Sequence, residues 1–241
     1  MTDTKRNKQT AQRPTQQPIR HPSTPRSQAA LSYLLSHIPS FDHPRTDLEQ
    51  HPTPPSIAAE LLWHAHMRGL LRSATVIDLG CGTGIFGIGA ALLGAARVHF
   101  VDIDPGALSK AQEAAANLSA AIPPSTRLTF FQGDVQTFQE QGDILFQNPP
   151  FGTKRRHADT HFLEAAARLA PRLYTLHLAS TQRFVQTKLA TLGYHVTETF
   201  TFTIPLKNTH AHHAKPKHLV QVTCFAAEKT KQDGSQDARR P

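Results

Sequence analysis

The feature that most constrains this chain is a predicted strand that runs directly into a glycine-rich turn. Residues 75–79 form a mostly apolar run that contains Asp78, and a predicted apolar helix follows the turn over 85–93. Near-continuous apolar strands are typical of parallel sheets that are covered on both faces. Glycines allow a ligand to approach the backbone closely. The pattern therefore predicts an α/β fold whose ligand site includes the turn residues Gly80, Cys81, Gly82 and Gly84.

A second predicted strand ends in acidic residues. This strand, residues 98–101, is followed by Asp102, Ile103 and Asp104. An acid at the tip of the second strand, about 20 residues after the glycines, can accept hydrogen bonds from ribose hydroxyls. We assign this role to Asp102, whereas Asp104 is more simply the N-cap of a helix that begins at Pro105. Strand, glycine turn, helix, strand and acid together predict a nucleotide-binding unit.

The fourth predicted strand, residues 144–146, leads to the sequence Asn148-Pro149-Pro150-Phe151. The strand should end there because proline cannot donate to a sheet ladder. The side-chain oxygen of Asn148 and the backbone oxygen of Pro149 can accept both hydrogens of a planar exocyclic amine. Phe151 offers a face on which a flat ring can stack. An asparagine before two prolines is also ordinary turn chemistry, so both interpretations stay open.

Polar residues thus follow four predicted strands of one sheet. The third strand, residues 128–131, leads to Asp134, which is also a typical turn residue in its position after a glycine. Ligands of open α/β sheets bind at the carboxyl ends of the strands. We therefore expect one crevice to contain Asp78, Asp102, Asp134 and Asn148.

Two helices are predicted before the first strand. Ser27 can cap the first helix, whose leucines fall on one face. Residues 48–55 form a polar, proline-rich connection in which we expect Thr53 to be the N-cap of the second helix. Capping accounts for Thr53 but gives no reason for Gln50.

The composition indicates one domain with two tails. The chain has 241 residues, of which 39% are hydrophobic, enough for one core of ordinary size. The formal charge of +8 is concentrated at the ends, since residues 1–30 hold six Lys or Arg and one Asp. We predict a disordered basic tail over 1–26, a folded domain over 27–227 and a disordered polar tail over 228–241. The basic tail either touches nucleic acid non-specifically or serves solubility.

The cysteine content and the absence of long apolar runs predict a cytoplasmic protein. Cys81 and Cys224 are the only cysteines, which favours a reduced compartment. The sequence has no apolar run of about 18 residues and no apolar signal-peptide core, so we expect no membrane segment. We also expect no metal site, because the histidines at 210, 212, 213 and 218 have no cysteine or carboxylate beside them.

Three motifs together resemble a known enzyme family. In chain order they are Leu48-Glu49-Gln50-His51-Pro52-Thr53, the turn sequence at 78–84, and Asn148-Pro149-Pro150-Phe151-Gly152-Thr153-Lys154. They look like the methyltransferase-like family that modifies an adenine amine in small-subunit ribosomal RNA of eukaryotes and archaea. The likeness spans about residues 28–226. It implies a Rossmann-like class I fold that depends on S-adenosyl-L-methionine, with a mostly parallel, doubly wound sheet that ends in an antiparallel hairpin.

The resemblance also implies roles for individual residues. Asp78 and the glycine turn would meet the methionine end of S-adenosyl-L-methionine, and Asp102 with Ile103 would meet its ribose. Asp134 would accept from the adenine amine of the cofactor. Gln50 and Thr53 would close over the cofactor, which supplies a reason for Gln50. The catalytic set implied for the adenine substrate is Asn148, Pro149, Pro150 and Phe151, with Asn148 also beside the cofactor.

Positive residues near the predicted crevice suggest contacts with RNA. One group directly follows the Asn-Pro-Pro-Phe motif and could hold phosphates beside a flipped nucleotide, although a solvated loop is the alternative. A second group lies in the loop at 205–218 between the last two predicted strands, which has no acid. The predicted RNA-binding residues are Lys154, Arg155, Arg156, Lys207, His213, Lys215 and Lys217.

The chain departs from the family at two places. The family usually has tyrosine where His51 stands, and it carries Tyr and Phe beside the basic run in the last hairpin, where this chain has histidines at 210, 212 and 213. The family also commonly works with a small zinc-binding activator that pairs with a sheet edge, so the resemblance implies a heterodimer. Two other functions stay open: methylation of a protein glutamine amide, and a catalytically silent RNA-binding subunit.

Overall fold

The computed structural model of the protein describes residues 24–42, 44–151, 158–206 and 218–230. The helices are α1 (Gln28–Leu35), α2 (Pro55–Met67), α3 (Ile85–Leu92), α4 (Pro105–Asn117), α5 (Ala158–Leu169) and α6 (Gln182–Thr191). The strands are β1 (Thr75–Leu79), β2 (Arg97–Asp102), β3 (Arg127–Gln132), β4 (Ile144–Gln147), β5 (Arg172–Leu178), β6 (Tyr194–Leu206) and β7 (His218–Lys229). Short 3-10 turns cover Thr46–Leu48, Ser119–Ala121 and Ala179–Thr181.

The strands described above form one sheet in the order β3-β2-β1-β4-β5-β7-β6. β1 to β5 pair in parallel, whereas β7 pairs antiparallel with both β5 and β6. The strand order reverses at β1, which lies between β2 and β4. Such a reversal opens a crevice at the carboxyl ends of the two central strands. The mostly parallel sheet with a terminal antiparallel hairpin confirms the predicted fold class.

Helices cover the sheet on both faces because the strand side chains alternate between two apolar clusters. One cluster joins α1, α2, α3 and α4 to one face of the sheet, including Val76, Phe100 and Phe146. The other joins α5 and α6 to the opposite face, including Ile77 and Leu145. Within the described part of the chain, no helix is long and apolar enough to cross a membrane.

Of the two helix caps predicted near the N-terminus, the first is confirmed and the second is wrong. Ser27 caps α1 as predicted, since its hydroxyl accepts from the Ala30 backbone N–H at 3.1 Å. The prediction that Thr53 caps α2 is wrong. The helix begins at Pro55 with Pro54 as its N-cap and no side-chain capping bond. Thr53 is instead available for a contact described below.

The C-terminal hairpin is longer than the sequence pattern indicated. β7 continues to Lys229, two residues beyond the predicted domain end at 227. The extension is supported by backbone bonds outside the hairpin, because Lys229 N–H donates to the Pro171 carbonyl at 2.8 Å and Thr230 N–H donates to the Gly193 carbonyl at 3.0 Å. Residues 1–23 and 231–241, which form most of the predicted tails, lie outside the described residues.

Candidate active site

A cavity of about 1100 Å³ lies at the carboxyl ends of the central strands. It is bounded by the glycine turn after β1, by the tips of β2 and β4, and by the chain between α1 and α2. The structure thereby brings together most of the residues that were predicted from the sequence. Those lining the cavity are Gln50, Thr53, Asp78, Gly80, Cys81, Gly82, Asp102, Ile103, Asp134, Asn148 and Pro150.

Three predicted site residues lie behind this lining. Gly84 is the N-cap of α3 with a φ of 85°, a left-handed conformation that favours glycine. Pro149 is buried at the tip of β4. Phe151 is half-buried and packs against the main apolar cluster.

The carboxylate of Asp78 is buried beneath the glycine turn. Its Oδ2 accepts a hydrogen bond from the Gly87 backbone N–H at 2.7 Å, which ties β1 to the first turn of α3. Burial raises the pKa of Asp78 to about 8, and nearby Asp102 acts in the same direction, whereas the Gly87 bond opposes the shift. Asp78 therefore holds a proton in the folded chain at pH values where an unfolded chain has released it.

This shift predicts that Asp78 makes the folded state less stable as the pH rises. Between the ordinary pKa of 3.8 and the folded value of about 8, the folded state binds more protons than the unfolded state. Stability is therefore greatest at the low end of this window and is lost toward pH 8. Asp78→Asn should remove this contribution, which is at most about 1.4 kcal/mol per pH unit for one proton. Urea unfolding at pH 5, 6, 7 and 8 measures it, and equal pH slopes in both proteins would contradict it.

Asp102 bonds to the glycine turn through one carboxylate oxygen and to the backbone after β2 through the other. Its Oδ2 accepts from the Gly82 backbone N–H at 2.8 Å, and its Oδ1 accepts from the Asp104 backbone N–H at 2.9 Å. Burial raises the pKa of Asp102, and these backbone bonds oppose that effect. The carboxylate thus lies buried at the cavity wall in the place where the sequence predicted a ribose acceptor.

Residues 44–54, which we call the strap, pass over this end of the cavity. Gln50 holds the strap in place: its Oε1 accepts from the Arg45 backbone N–H at 2.8 Å, and its Nε2 donates to Asp104 Oδ2 at 2.7 Å. The other oxygen of Asp104 caps α4 by accepting from the Gly106 N–H at 3.0 Å, as predicted. Gln50 therefore links the strap to the helix that follows β2.

The opposite end of the strap is bonded to Asn148. Nδ2 of Asn148 donates to Thr53 Oγ1 at 3.0 Å and to the His51 carbonyl at 3.2 Å. Because a backbone carbonyl can only accept, the amino end of the amide must face the strap. Oδ1 of Asn148 is buried and has no hydrogen-bond partner in the part of the chain that the structure describes. Since buried polar atoms are normally paired, this orphaned acceptor marks a place where a donor is expected to bind.

An aromatic pair lies beside this acceptor. The rings of His51 and Phe151 are stacked, with centroids 5.9 Å apart and planes inclined by 21°. Burial lowers the pKa of His51, which favours the neutral imidazole. The strap residue at which the chain departs from the family thus contacts the aromatic residue of the Asn-Pro-Pro-Phe motif.

Asp134 forms a turn, which was one of its two interpretations from the sequence. Its Oδ1 accepts from the Gln136 backbone N–H at 2.9 Å, and its carbonyl accepts from the Thr137 N–H at 2.9 Å, which is turn geometry. The residue also lines the cavity. The turn therefore places an exposed carboxylate at the cavity rim.

Two aromatic residues of the site were missed by the sequence reasoning. An added Cβ at Gly82 would lie 2.9 Å from Cζ of Phe41, and one at Gly80 would lie 2.6 Å from Cε1 of Phe162. Both rings therefore lie against the glycine turn, and both residues line the cavity. The available signal was weak: Phe41 is an aromatic residue in a proline-rich stretch, and Phe162 resembles any other core residue of α5.

The predicted RNA-binding residues cannot be placed in this site. They belong to two segments, 152–157 and 207–217, that lie outside the described residues. They are Lys154, Arg155, Arg156, Lys207, His213, Lys215 and Lys217.

The sequence of this chain is similar to those of known methyltransferases. The family described as ribosomal protein L11 methyltransferase (PrmA) matches residues 56–148. The rRNA N(6)-adenosine-methyltransferase Mettl5 of Drosophila melanogaster is 34% identical over 166 residues, which are 68% of this chain and 78% of that protein.

Solved structures extend the likeness over most of the chain. A candidate RNA methyltransferase of Pyrococcus horikoshii is 33% identical with a TM-score of 0.76, over 86% of this chain and 98% of that one. The magnesium protoporphyrin IX methyltransferase of Synechocystis PCC 6803, solved with bound SAM, has a TM-score of 0.58 at 18% identity, over 72% of this chain and 78% of that one, and shows the shared fold alone. The identity to Mettl5 over more than three quarters of that protein therefore places this chain in the methyltransferase family to which Mettl5 belongs.

Proposed function

We propose that the protein transfers a methyl group from S-adenosyl-L-methionine to the exocyclic amine of an adenine in RNA, with small-subunit ribosomal RNA as the substrate. The observation that carries this proposal is the amide of Asn148. Its amino end is held by the strap, while its buried oxygen has no partner within the described ranges. An acceptor presented in this way suits an N–H donor at the cavity wall.

The residues around the cavity fit S-adenosyl-L-methionine. At about 1100 Å³ the cavity exceeds the range of roughly 300–1,000 Å³ that is typical of small-molecule sites, so it can hold a cofactor together with a base. The carboxylate of Asp102 suits ribose hydroxyls. The buried Asp78 would lose its proton when the cationic methionine end binds beside it, because a nearby positive charge lowers the pKa of a carboxyl. Asp134 is proposed for the adenine amine of the cofactor. Glycines at 80 and 82 leave room for the rings of Phe162 and Phe41 to lie against the turn, because a Cβ at either would collide with one of these rings.

The chain's contribution to the reaction is the preparation of the nucleophile. When bound, S-adenosyl-L-methionine supplies a methyl group on a sulfonium that is already a good leaving group. The lone pair of an adenine amine is delocalised into its ring. Acceptance of both amine hydrogens by Asn148 Oδ1 and the Pro149 carbonyl would draw the nitrogen toward a tetrahedral shape and fix its direction. The product ammonium then loses its proton to water, so no general base is needed.

The aromatic pair supports a flat substrate. His51 lines the cavity and Phe151 stacks on its ring, and stacking on aromatic rings is a common way to bind an unpaired base. A base inside a duplex could not reach this cavity. The target base must therefore be flipped out of its stack or already lie in a single strand. Unstacking and unpairing a base costs about a few kcal/mol. Irregular RNA meets this requirement better than duplex DNA.

The basic residues at 154–156 and in the 207–217 loop are proposed to hold the RNA backbone. Lys154, Arg155 and Arg156 follow the Asn-Pro-Pro-Phe motif directly in the sequence. Lysine and arginine contacts to phosphates position nucleic acid without selecting its sequence. RNA binding through them should therefore weaken as the salt concentration increases.

A second candidate, methylation of a protein side-chain amide, is favoured by the match to the ribosomal protein L11 methyltransferase family. That match ends at Asn148, so it covers the cofactor end of the cavity and stops before Phe151 and the hairpin. An amide nitrogen has the same delocalised lone pair as an adenine amine. The part of the site that would bind the methyl-accepting substrate, and so distinguish RNA from protein, lies mostly after residue 148, where the match ends.

The test is methyl transfer with labelled S-adenosyl-L-methionine to separated substrates. The full chain is incubated with small-subunit rRNA, large-subunit rRNA or total protein, and the labelled RNA is digested to nucleosides and mapped. We expect label in N(6)-methyladenosine at one position of small-subunit rRNA. Label in protein alone supports the second candidate. Label in no fraction, with and without the zinc-binding activator added, supports a catalytically silent RNA-binding subunit.

We further propose that a small zinc-binding activator pairs with the free edge of β3. This strand has β2 as its one neighbour in the described sheet, and Phe131 on it is 37% exposed. Unpaired edge strands accept an added strand readily. Phe131→Asp should abolish the complex with the activator on gel filtration. Phe184→Asp, which changes a 49% exposed residue of α6, should leave it intact, and a complex that survives Phe131→Asp would contradict this arrangement.

A further inference from the structure

We propose that Thr53 is a positioning residue that sets the orientation of the Asn148 amide, and that it acts through this amide. This inference rests on the proposed function, because it gives the Asn148 oxygen a direction toward the acceptor amine. Thr53 is 7% exposed, and its side chain has one described hydrogen bond, the 3.0 Å contact from Asn148 Nδ2.

The need for such a residue follows from the symmetry of a carboxamide. The oxygen and the amino group of an asparagine have nearly the same shape, so rotation by half a turn exchanges an acceptor for a donor. In the rotated state Asn148 would present hydrogens to a substrate amine, which also carries hydrogens. Only the state with the oxygen toward the substrate can assist the reaction.

The His51 carbonyl selects this state, and the Thr53 hydroxyl keeps the amide against that carbonyl. The two oxygens lie 3.2 and 3.0 Å from Asn148 Nδ2. Rotation of the amide would place its oxygen against the carbonyl oxygen, which cannot donate, whereas a hydroxyl could bond to either end of the amide. Removal of the Thr53 hydroxyl leaves one bond of 3.2 Å, so the amide is held less firmly against the carbonyl and its oxygen is aimed less firmly at the substrate.

The alternative explanation of Thr53 as a helix cap does not account for this contact. Pro54, rather than Thr53, is the N-cap of α2, and no side chain caps that end of the helix. The strap that carries Thr53 is held at its other end by Gln50 and Asp104. The strap therefore reaches from the acid-lined end of the cavity to the Asn148 amide, and its position affects the side chains that it contacts at both ends.

The test compares Thr53→Val, which removes the hydroxyl at similar shape, with Thr53→Ser, which keeps it. Thr191→Val on the exposed surface of α6 is the matched control, since that hydroxyl bonds only within its helix. For Thr53→Val we expect kcat to fall by about tenfold to a hundredfold, with the KM for RNA and the Kd for S-adenosyl-L-methionine within about threefold. Thr53→Ser and Thr191→Val should retain most of the turnover.

Two kinetic results would overturn the proposal. Turnover of Thr53→Val within twofold of the parent protein would show that the hydroxyl does not position Asn148. A loss that is equal in the Val and Ser variants, and that is accompanied by a matching rise in the Kd for the cofactor, would assign Thr53 to cofactor contact or to strap structure.

A spectroscopic measurement separates this inference from the proposed reaction. The chain has four asparagines, Asn7, Asn117, Asn148 and Asn208, so selective ¹⁵N-asparagine labelling gives few side-chain signals. The Asn148 pair is assigned by its loss in Asn148→Ala. Thr53→Val should shift that pair and speed its hydrogen exchange by about tenfold, whereas Thr191→Val should not. An unchanged pair refutes the role of Thr53 even in an active enzyme, and a changed pair supports it even if no RNA is methylated.

Discussion

Asn148→Ala is expected to abolish detectable methyl transfer while the chain still binds S-adenosyl-L-methionine. The substitution removes Asn148 Oδ1, a buried oxygen without a hydrogen-bond partner among the described residues, and with it one of the two proposed acceptors for the substrate amine. Loss of one preorganised hydrogen-bonding group at a reacting centre typically lowers kcat by about 10²–10³. The described hydrogen bonds of the Asn148 amino group go to the strap, so the cofactor end of the cavity keeps its own bonds.

Single-turnover transfer to small-subunit rRNA and cofactor binding by calorimetry measure the two quantities separately. Asn117→Ala, at the exposed end of α4, is the matched control and should retain full turnover. A near-normal rate in Asn148→Ala would remove the proposed mechanism. A rate loss with an equal loss of cofactor affinity would instead make Asn148 a cofactor ligand.

The fold could be predicted because its signals are local. The apolar run before the glycine turn, the acid after the next strand and the prolines after the fourth strand each lie within a few residues of the structure that they indicate. The end of the hairpin could not be read in this way. The pairing of Lys229 depends on Pro171 and that of Thr230 depends on Gly193, which are distant in the sequence.

It could also be predicted that the site residues lie close together, since parallel strands of an open sheet end at one edge. The role of Thr53 could not be predicted from the sequence. A threonine before two prolines fits an N-cap and a strap residue equally well, and the choice depends on Asn148, which is 95 residues away. The same limit applies to Phe41 and Phe162, because the sequence does not show which aromatic rings reach the glycine turn.

The second large effect is expected for Asp102→Asn, which should lower the affinity for S-adenosyl-L-methionine by about a hundredfold. Both oxygens of Asp102 accept from backbone N–H groups, those of Gly82 and Asp104. An asparagine has one oxygen, so one of these donors loses its partner, at a cost of about 1–3 kcal/mol for a buried group. The glycine turn is then less firmly held, and the proposed acceptor for the ribose hydroxyls loses its charge.

Asp143→Asn is the matched control for this loss. Asp143 also accepts a backbone hydrogen bond, from Thr75 N–H at 2.8 Å, but it lies just before β4, beside the start of β1. The cavity lies at the opposite, carboxyl ends of these strands. We expect Asp143→Asn to lower the melting temperature and leave the Kd for the cofactor unchanged, whereas Asp102→Asn changes both. Calorimetric titration of the two proteins decides the matter. If Asp102→Asn bound the cofactor as tightly as Asp143→Asn, the acid at the tip of β2 would be part of the turn's structure alone, and the assignment of the ribose to this end of the cavity would fail.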